Sequence, residues 1–126
     1  MEFKSQIATT REQSEKLLAL GIKPETADCH IEMAPSGMDY TYITQNYHCP
    51  ASNTIPSWSL TRLLELIPKF IYPSLAIEVS PPYISYWNTF EKRFEISYGS
   101  GNIYENAIFI ISWLIKNNHF NTEYLK

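Results

Sequence analysis

The clearest indication of the fold class is the alternating segment Phe90-Glu-Lys-Arg-Phe-Glu-Ile-Ser-Tyr98. Successive residues of a β-strand point to opposite faces of the sheet, so this pattern gives the strand one apolar and one polar face. The apolar residues are Phe90, Phe94, Ile96 and Tyr98, the polar ones are Glu91, Arg93, Glu95 and Ser97, and Lys92 is the exception. The segment therefore predicts an antiparallel sheet that other elements cover on a single side.

Four more strands are predicted upstream of this segment, in two pairs that each flank a short turn. The turn is Pro35-Ser36-Gly37 in the first pair and Pro81-Pro82 in the second, and proline and glycine favour turns for a conformational reason. Residues 45–57 are rich in Asn, Ser, Thr and Pro, which predicts a loop. The predicted strands cover residues 29–34, 38–44, 74–80 and 83–87.

Helices are predicted where an apolar stripe follows a capping residue. Thr9 and Glu12 have the spacing of a capping box, which predicts the start of a first helix. Ser57 or Ser59 caps a second helix, which ends before Pro68 because the residue before a proline disfavours the α region. The stripe of this second helix consists of Leu60, Leu63, Leu64 and Ile67.

A third helix, capped by Asn102, completes the predicted fold. Its apolar residues are Ala107, Ile108, Ile111, Trp113, Leu114 and Ile115. They surround the helix almost completely, which is typical of a helix buried at the centre of a fold. We therefore predict a single α+β domain over residues 1–126, with residues 1–8 as a loosely ordered N-terminal segment. Its architecture is a mostly antiparallel sheet of about five strands with about three helices packed on one face.

Composition and charge exclude several classes of function. Hydrophobic residues make up 44% and charged residues 18% of the 126 residues, which fits a globular domain and excludes wholesale disorder. Ten basic and thirteen acidic side chains give a net charge of −3, and the basic residues are scattered, so we expect no nucleic-acid partner. The N-terminus lacks a signal-peptide pattern, and the longest apolar stretch, residues 103–115, is shorter than the ~20 residues that span a bilayer. We expect a cytoplasmic protein without membrane contact.

Two cysteines and two histidines form the only constellation with a reactive character. Cys29, His30, His48 and Cys49 are the residue types that bind zinc in tetrahedral sites. Neighbouring residues of a strand point to opposite faces, however, so Cys29 and His30 could not both reach one ion. The sequence therefore predicts no catalytic residue, no metal and no cofactor. A small metal- or thiol-dependent hydrolase that uses these four residues is the alternative.

Tyrosine content indicates an interaction surface. Nine of the 126 residues are tyrosines, which provide a large contact area at low entropic cost and are enriched in protein interfaces. We expect Tyr40, Tyr42, Tyr83 and Tyr86 to form the contact surface of a non-enzymatic protein-binding module. The partner is another protein or a second copy of the chain. Cross-strand packing of these side chains within one sheet is the alternative interpretation.

Three segments together carry a resemblance to a protein family. They are Thr10-Arg-Glu-Gln-Ser-Glu-Lys-Leu-Leu-Ala-Leu-Gly21 with Glu25-Thr-Ala-Asp28, then Pro56-Ser-Trp-Ser-Leu-Thr-Arg-Leu-Leu-Glu-Leu-Ile-Pro68, and finally Asn106-Ala-Ile with Ser112-Trp-Leu-Ile-Lys116. In this order they resemble small proteins of unknown function from Bacteroides-type gut bacteria and their prophages or mobile elements. These motifs are helix caps and core stripes. The resemblance implies a cytoplasmic protein associated with a phage or mobile element, and it implies no activity or site residue.

Overall fold

The computed structural model describes residues 6–44, 54–98 and 101–126. These residues form three α-helices, seven β-strands and two 3-10 helices, at Pro24–Thr26 and Thr122–Tyr124. In chain order the main elements are α1 (Arg11–Ala19), β1 (Cys29–Met33), β2 (Asp39–Ile43), β3 (Thr54–Ser57), α2 (Leu60–Leu66), β4 (Phe70–Tyr72), β5 (Leu75–Ser80), β6 (Tyr83–Asn88), β7 (Arg93–Tyr98) and α3 (Ile103–Lys116). Within this described part of the chain, no helix is both long and apolar enough to cross a membrane.

The seven strands form two antiparallel sheets rather than one. The first sheet has the order β2-β1-β3 and the second has the order β4-β5-β6-β7. The α+β class is therefore confirmed, whereas the prediction of a single sheet of about five strands is wrong. Two short strands lie outside the five predicted ones: β3 falls in the segment predicted as a loop and pairs with β1, and β4 lies between Pro68 and Pro73 and pairs with β5. Strands of three or four residues are too short to display an alternating pattern. Residues 45–53 of the predicted loop lie outside the described residues.

The first helix begins one residue later than predicted. Thr10 is its cap, with a capping box in which the Thr10 hydroxyl accepts a hydrogen bond from the Gln13 backbone N–H at 3.3 Å. Thr9 is instead buried, and its hydroxyl lies 2.8 Å from the Ser14 hydroxyl and 3.1 Å from the Ser57 hydroxyl. The predicted cap at Thr9 is wrong because that side chain links α1 to β3.

The predicted caps of the other two helices are confirmed. The Ser59 hydroxyl accepts from the Arg62 N–H at 3.1 Å at the start of α2. The Asn102 side chain accepts from the Tyr104 N–H at 2.8 Å at the start of α3. The alternative cap, Ser57, lies in β3. Each cap satisfies a backbone donor that the first helical turn leaves without an internal partner.

The main core lies between α3 and the inner face of the second sheet. As predicted, α3 is largely buried, and it packs against β6 and β7. The helices are divided between the two sheets, because α1 packs against β3 of the first sheet as well as against α3. They therefore do not lie on one face of one sheet. The fully buried side chains with the largest volumes are Trp58, Tyr86, Leu17, Ile22, Ile31, Leu63, Leu66, Leu75, Ile84, Ile110 and Ile111.

A β-bulge in β7 changes the predicted faces of that strand. Tyr86 pairs with Ile96 and Trp87 pairs with Phe94, so Glu95 is an extra residue between the two pairs. Phe94 consequently lies on the opposite face from Ile96, which packs against the core. Its ring contacts Trp87 edge-on, with 4.8 Å between the centroids, and is 47% exposed. The prediction that these two residues share an apolar face is wrong, and the side chain of Tyr98 lies outside what the structure describes.

Candidate interaction surface

The outer face of the first sheet brings together two of the predicted tyrosines. β1 and β2 pair so that His30 lies opposite Tyr42 and Glu32 lies opposite Tyr40. Paired residues point to the same side of a sheet, so these four residues share one face, which we call the tyrosine face. Tyr40 is 47% exposed and Tyr42 is 46% exposed. Both are therefore accessible to a partner.

The imidazole of His30 is fixed within the tyrosine face. Its ring stacks on that of Tyr42, with the centroids 5.3 Å apart and the planes inclined by 22°. Its Nε2 lies 3.0 Å from a Glu32 carboxylate oxygen, and its Nδ1 forms a hydrogen bond with the Thr44 hydroxyl. With Nε2 donating to Glu32, Nδ1 accepts from Thr44. Both ring nitrogens thus have partners, and a metal ion would have to displace one of them.

Cys29 lies on the opposite face of β1, as predicted, where its thiol is free and only 3% exposed. Burial, reinforced by the neighbouring carboxylate of Asp28, raises the pKa of the Cys29 thiol from 9.0 to about 11. At neutral pH the thiol is therefore protonated, which disfavours its use as a nucleophile. His48 and Cys49 lie outside the described residues. Among the residues that are described, no three His, Cys, Asp or Glu side chains are grouped to hold a metal ion.

The raised pKa of Cys29 gives a direct prediction. In a Cys49→Ala variant of the folded protein, we expect the rate of alkylation by iodoacetamide to rise with pH until about pH 11, whereas the urea-unfolded chain should titrate near the ordinary thiol pKa. Because folding favours the protonated thiol, the corresponding stabilisation is complete below the ordinary pKa and is lost as the pH rises through about 11. A native titration midpoint at or below that of the unfolded chain would contradict the buried-thiol interpretation and revive the thiol-dependent alternative.

The other two predicted tyrosines lie in the second sheet and face opposite ways. Tyr83 is 50% exposed, whereas Tyr86 is completely buried. The Tyr86 hydroxyl donates to the Pro68 carbonyl at 2.5 Å, and burial raises the pKa of this phenol far above its usual range. Tyr86 therefore belongs to the core and cannot contact a partner, so its assignment to the contact surface is corrected. The two residues are three positions apart in one strand, which places them on opposite faces.

Tyr83 borders a shallow depression on the outer face of the second sheet. The depression has a volume of about 320 Å³ and is lined by Glu78, Ser80, Tyr83, Ser85, Phe94 and Ser97. The Ser85 and Ser97 hydroxyl groups hydrogen-bond to each other across the strands at 2.9 Å. Phe94 reaches this face only because of the bulge, so simple alternation does not predict its presence. The depression contains one carboxylate, that of Glu78, and the Ser85 hydroxyl donates its proton to Ser97 rather than to this carboxylate.

The backbone of β2 forms an open sheet edge. The Thr44 N–H donates to the Asp28 carbonyl at 2.8 Å, which sets the phase of the β1–β2 ladder. Hydrogen-bonded and non-hydrogen-bonded pairs alternate in an antiparallel ladder, so the even-numbered residues of β2 bond to β1. The N–H and C=O groups of Asp39, Thr41 and Ile43 therefore point away from β1. Within the described residues, β2 pairs with no strand other than β1.

Apolar side chains are uncovered along the same edge. Met38 and Ile43, at the two ends of the strand, are 59% and 84% exposed. The start of the strand is held by Arg11 of α1, whose guanidinium donates to both carboxylate oxygens of Asp39 at 2.8 and 3.0 Å. This contact also holds the pKa of Asp39 below its usual range. The rest of the fold thus positions the edge, and its two exposed apolar side chains lie at opposite ends of the strand.

Comparison with known proteins yields no match of any kind. No protein-family model, no curated protein and no solved structure matches the chain. The resemblance to small proteins of Bacteroides-type bacteria therefore stays a prediction. The functional inference depends on the tyrosine face and on the open edge of β2.

Proposed function

We propose that this protein is a non-enzymatic protein-interaction module that accepts an extended strand of a partner along β2. The observation that carries the proposal is the open edge of β2, bordered by the half-exposed side chains of Tyr40 and Tyr42. A sheet edge binds a further strand through main-chain hydrogen bonds, and alternate side chains provide the specificity. β2 offers both components, with outward backbone groups at three residues and tyrosines at the two residues between them.

The surroundings of β2 support this proposal because they lower the entropic cost of binding. The ion pair between Arg11 and Asp39 fixes one end of the strand to α1. The ring of Tyr42 already stacks on His30, which Glu32 and Thr44 hold in turn. Side chains that are ordered before binding lose less conformational freedom when a partner docks. Tyrosine adds a large contact area at a low cost in conformational entropy, because few side-chain torsions have to be fixed on binding.

The hydrolase alternative has less support. Cys29 is buried with a raised pKa, and its neighbour His30 points to the other face of β1. The imidazole also has a partner on each nitrogen. Absence of stoichiometric zinc in the purified protein, together with an inert thiol, would count against this alternative further.

The resemblance adds a proposed biological context. We propose that the module acts in the cytoplasm as part of a prophage or mobile element. Transcription that rises when DNA damage induces the prophage would support this context. Constant transcription under the same treatment would argue against it, without affecting the proposed binding surface.

Site-specific crosslinking in cells tests the binding surface. Replacing Tyr40 with the photo-crosslinker p-benzoylphenylalanine should yield a covalent adduct, because that side chain borders the edge that the partner occupies. The same replacement at Tyr83, which is equally exposed on the other sheet, is the matched control. The Tyr40 adduct should disappear when Thr41→Pro is added, because proline removes an outward N–H. No adduct, or an adduct that forms equally from Tyr83 or survives Thr41→Pro, would refute the proposed surface.

A further inference from the structure

We propose that the strand accepted by β2 is the β2 of a second copy of the same chain. The two strands would pair antiparallel around a twofold axis at Thr41 and join two three-stranded sheets into one of six strands. This inference rests on the function proposed above and names its partner.

Among the four sheet edges of the described structure, β2 is the one without a device that blocks strand pairing. β3 contains Pro56, β4 has an irregular register next to Pro73, and β7 has a bulge at Glu95. Proline, bulges and very short strands are the means by which proteins prevent edge-to-edge association. The five residues of β2 contain no proline and no lysine, and their register with β1 is regular. This edge is therefore left competent to pair.

The ladder phase permits a symmetric pairing centred on Thr41. The backbone groups of Thr41 point outward, so Thr41 and the partner's Thr41 can form a hydrogen-bonded pair on the twofold axis. In the same register Asp39 meets the partner's Ile43, and Ile43 meets the partner's Asp39. These residues also have outward groups, so all three pairs form hydrogen bonds without disturbing the bonds to β1. In a register shifted by one residue, the outward N–H and C=O groups of one strand would face residues whose backbone groups already bond to β1, so the ladder could not form.

The sequence of β2 is self-complementary in this register. Residues 40–42 read Tyr-Thr-Tyr, which is palindromic. Tyr40 lies opposite the partner's Tyr42, and Tyr42 lies opposite the partner's Tyr40. These are non-hydrogen-bonded pairs, in which side chains approach most closely, and aromatic cross-strand pairs stabilise a sheet. The pairing would thus merge two tyrosine faces into one continuous surface with four tyrosines at its centre.

Charge does not oppose this arrangement. Asp39 is the only charged residue of β2, Arg11 neutralises it, and it faces the partner's Ile43 rather than a second acid. α1 packs mainly against β3, at the opposite edge of the first sheet, and contacts β2 through the ion pair between Arg11 and Asp39. The apolar surface of Ile43, now 84% exposed, lies at the junction.

Sedimentation velocity of the full chain tests the dimer. We expect reversible self-association with a dissociation constant in the micromolar range, because the paired edge is short and its area small. Thr41→Pro should weaken the association at least about tenfold, because it removes the N–H on the axis. It should leave the circular dichroism spectrum unchanged, because that N–H takes no part in the β1–β2 ladder. A wild-type protein that remains monomeric up to about 500 μM would overturn the proposal.

Charged residues at positions 40 and 42 test the proposed register of the dimer without introducing a proline into β2. The double variant Tyr40→Lys/Tyr42→Lys opposes lysines across the axis and should abolish the dimer. The double variant Tyr40→Lys/Tyr42→Glu opposes each lysine to a glutamate of the partner and should dimerise at low salt. Tyr83→Lys, on the other sheet, should dimerise like the wild type. If the two double variants associate equally, or if Tyr83→Lys abolishes the dimer, the proposed register is wrong.

The crosslinking experiment separates the two proposals. A Tyr40 adduct with twice the mass of the chain supports both. An adduct with a different protein, sensitive to Thr41→Pro, supports the binding module and refutes the second copy as its occupant. Absence of any adduct from Tyr40 refutes the module as well.

Discussion

Replacement of Trp58 by alanine is expected to lower the free energy of unfolding by about 3–5 kcal/mol. The indole of Trp58 is completely buried in the main core, and its Nε1–H donates to the Thr26 hydroxyl at 2.9 Å. Alanine would leave a large cavity in the main core and would remove the hydrogen bond to the Thr26 hydroxyl. The expected loss is a large fraction of the total stability of a domain, about 5–15 kcal/mol.

Urea unfolding followed by far-ultraviolet circular dichroism measures this change from the shift of the midpoint at constant slope. Trp113→Ala is the matched control, because Trp113 is half-buried and packs at the border of the core, with its ring centroid 6.1 Å from that of Tyr86. It should cost clearly less than Trp58→Ala. A Trp58→Ala variant within about 1 kcal/mol of the wild type would show that the core is not organised around this indole.

The second large effect is expected from Thr9→Val, which should destabilise the fold by about 2–3 kcal/mol although the side chain keeps its shape. The Thr9 hydroxyl accepts from the Trp58 N–H at 3.0 Å and hydrogen-bonds to the Ser14 and Ser57 hydroxyl groups. Thr9 itself is 1% exposed, so water cannot replace these bonds. Valine would leave the buried Trp58 N–H and the buried Ser14 hydroxyl without this partner, whereas the Ser57 hydroxyl would keep its bond to the Thr9 carbonyl.

Two further variants distinguish the loss of the Thr9 hydrogen bonds from the general effect of replacing threonine by valine. Thr61→Val makes the same substitution at an exposed site on α2 and should change the stability by less than about 0.5 kcal/mol. In the double variant Thr9→Val/Ser14→Ala, both members of one bond are removed, so the total cost should be smaller than the sum of the two single costs. Strict additivity, measured by urea unfolding, would contradict the network.

Much of the fold can be predicted from local signals in the sequence. Asn102 and Ser59 are helix caps because their side chains satisfy backbone donors, and this property does not depend on the rest of the chain. The hairpin around Gly37 follows from a positive φ of 88°, which glycine adopts without steric cost. The apolar surface of α3 predicts its burial, because apolar side chains stabilise a fold when they leave water.

The parts that the sequence did not reveal depend on contacts between distant residues. β3 and β4 are too short for a periodic pattern, and they become strands only because β1 and β5 lie beside them. Thr9 has the spacing of a helix cap, yet Ser57 and Trp58, almost fifty residues away, take its hydroxyl into the interior. In each of these cases, tertiary contacts determine the local structure and override the local sequence propensity.

The candidate site depends partly on local sequence patterns and partly on contacts between distant residues. Alternation within β2 correctly groups Tyr40 with Tyr42, and alternation within β6 could also have separated Tyr83 from Tyr86. The role of Glu32 and Thr44 as partners of His30 was not foreseen. For Glu32 a signal existed, since it is two residues from His30 on the same strand, but Thr44 reaches the ring from the neighbouring strand.

The bulge in β7 has a consequence for chain length. Glu95 faces no residue of β6, so a chain shortened by this one residue would keep Phe94 over Trp87 and Ile96 beneath α3. Loss of Glu95 would therefore leave both neighbouring side chains on their present faces, whereas loss of one residue in the middle of β6 would move the following side chains to the opposite face of the sheet. Alignments of related chains should therefore accept a gap at Glu95 before they accept one in the middle of β6.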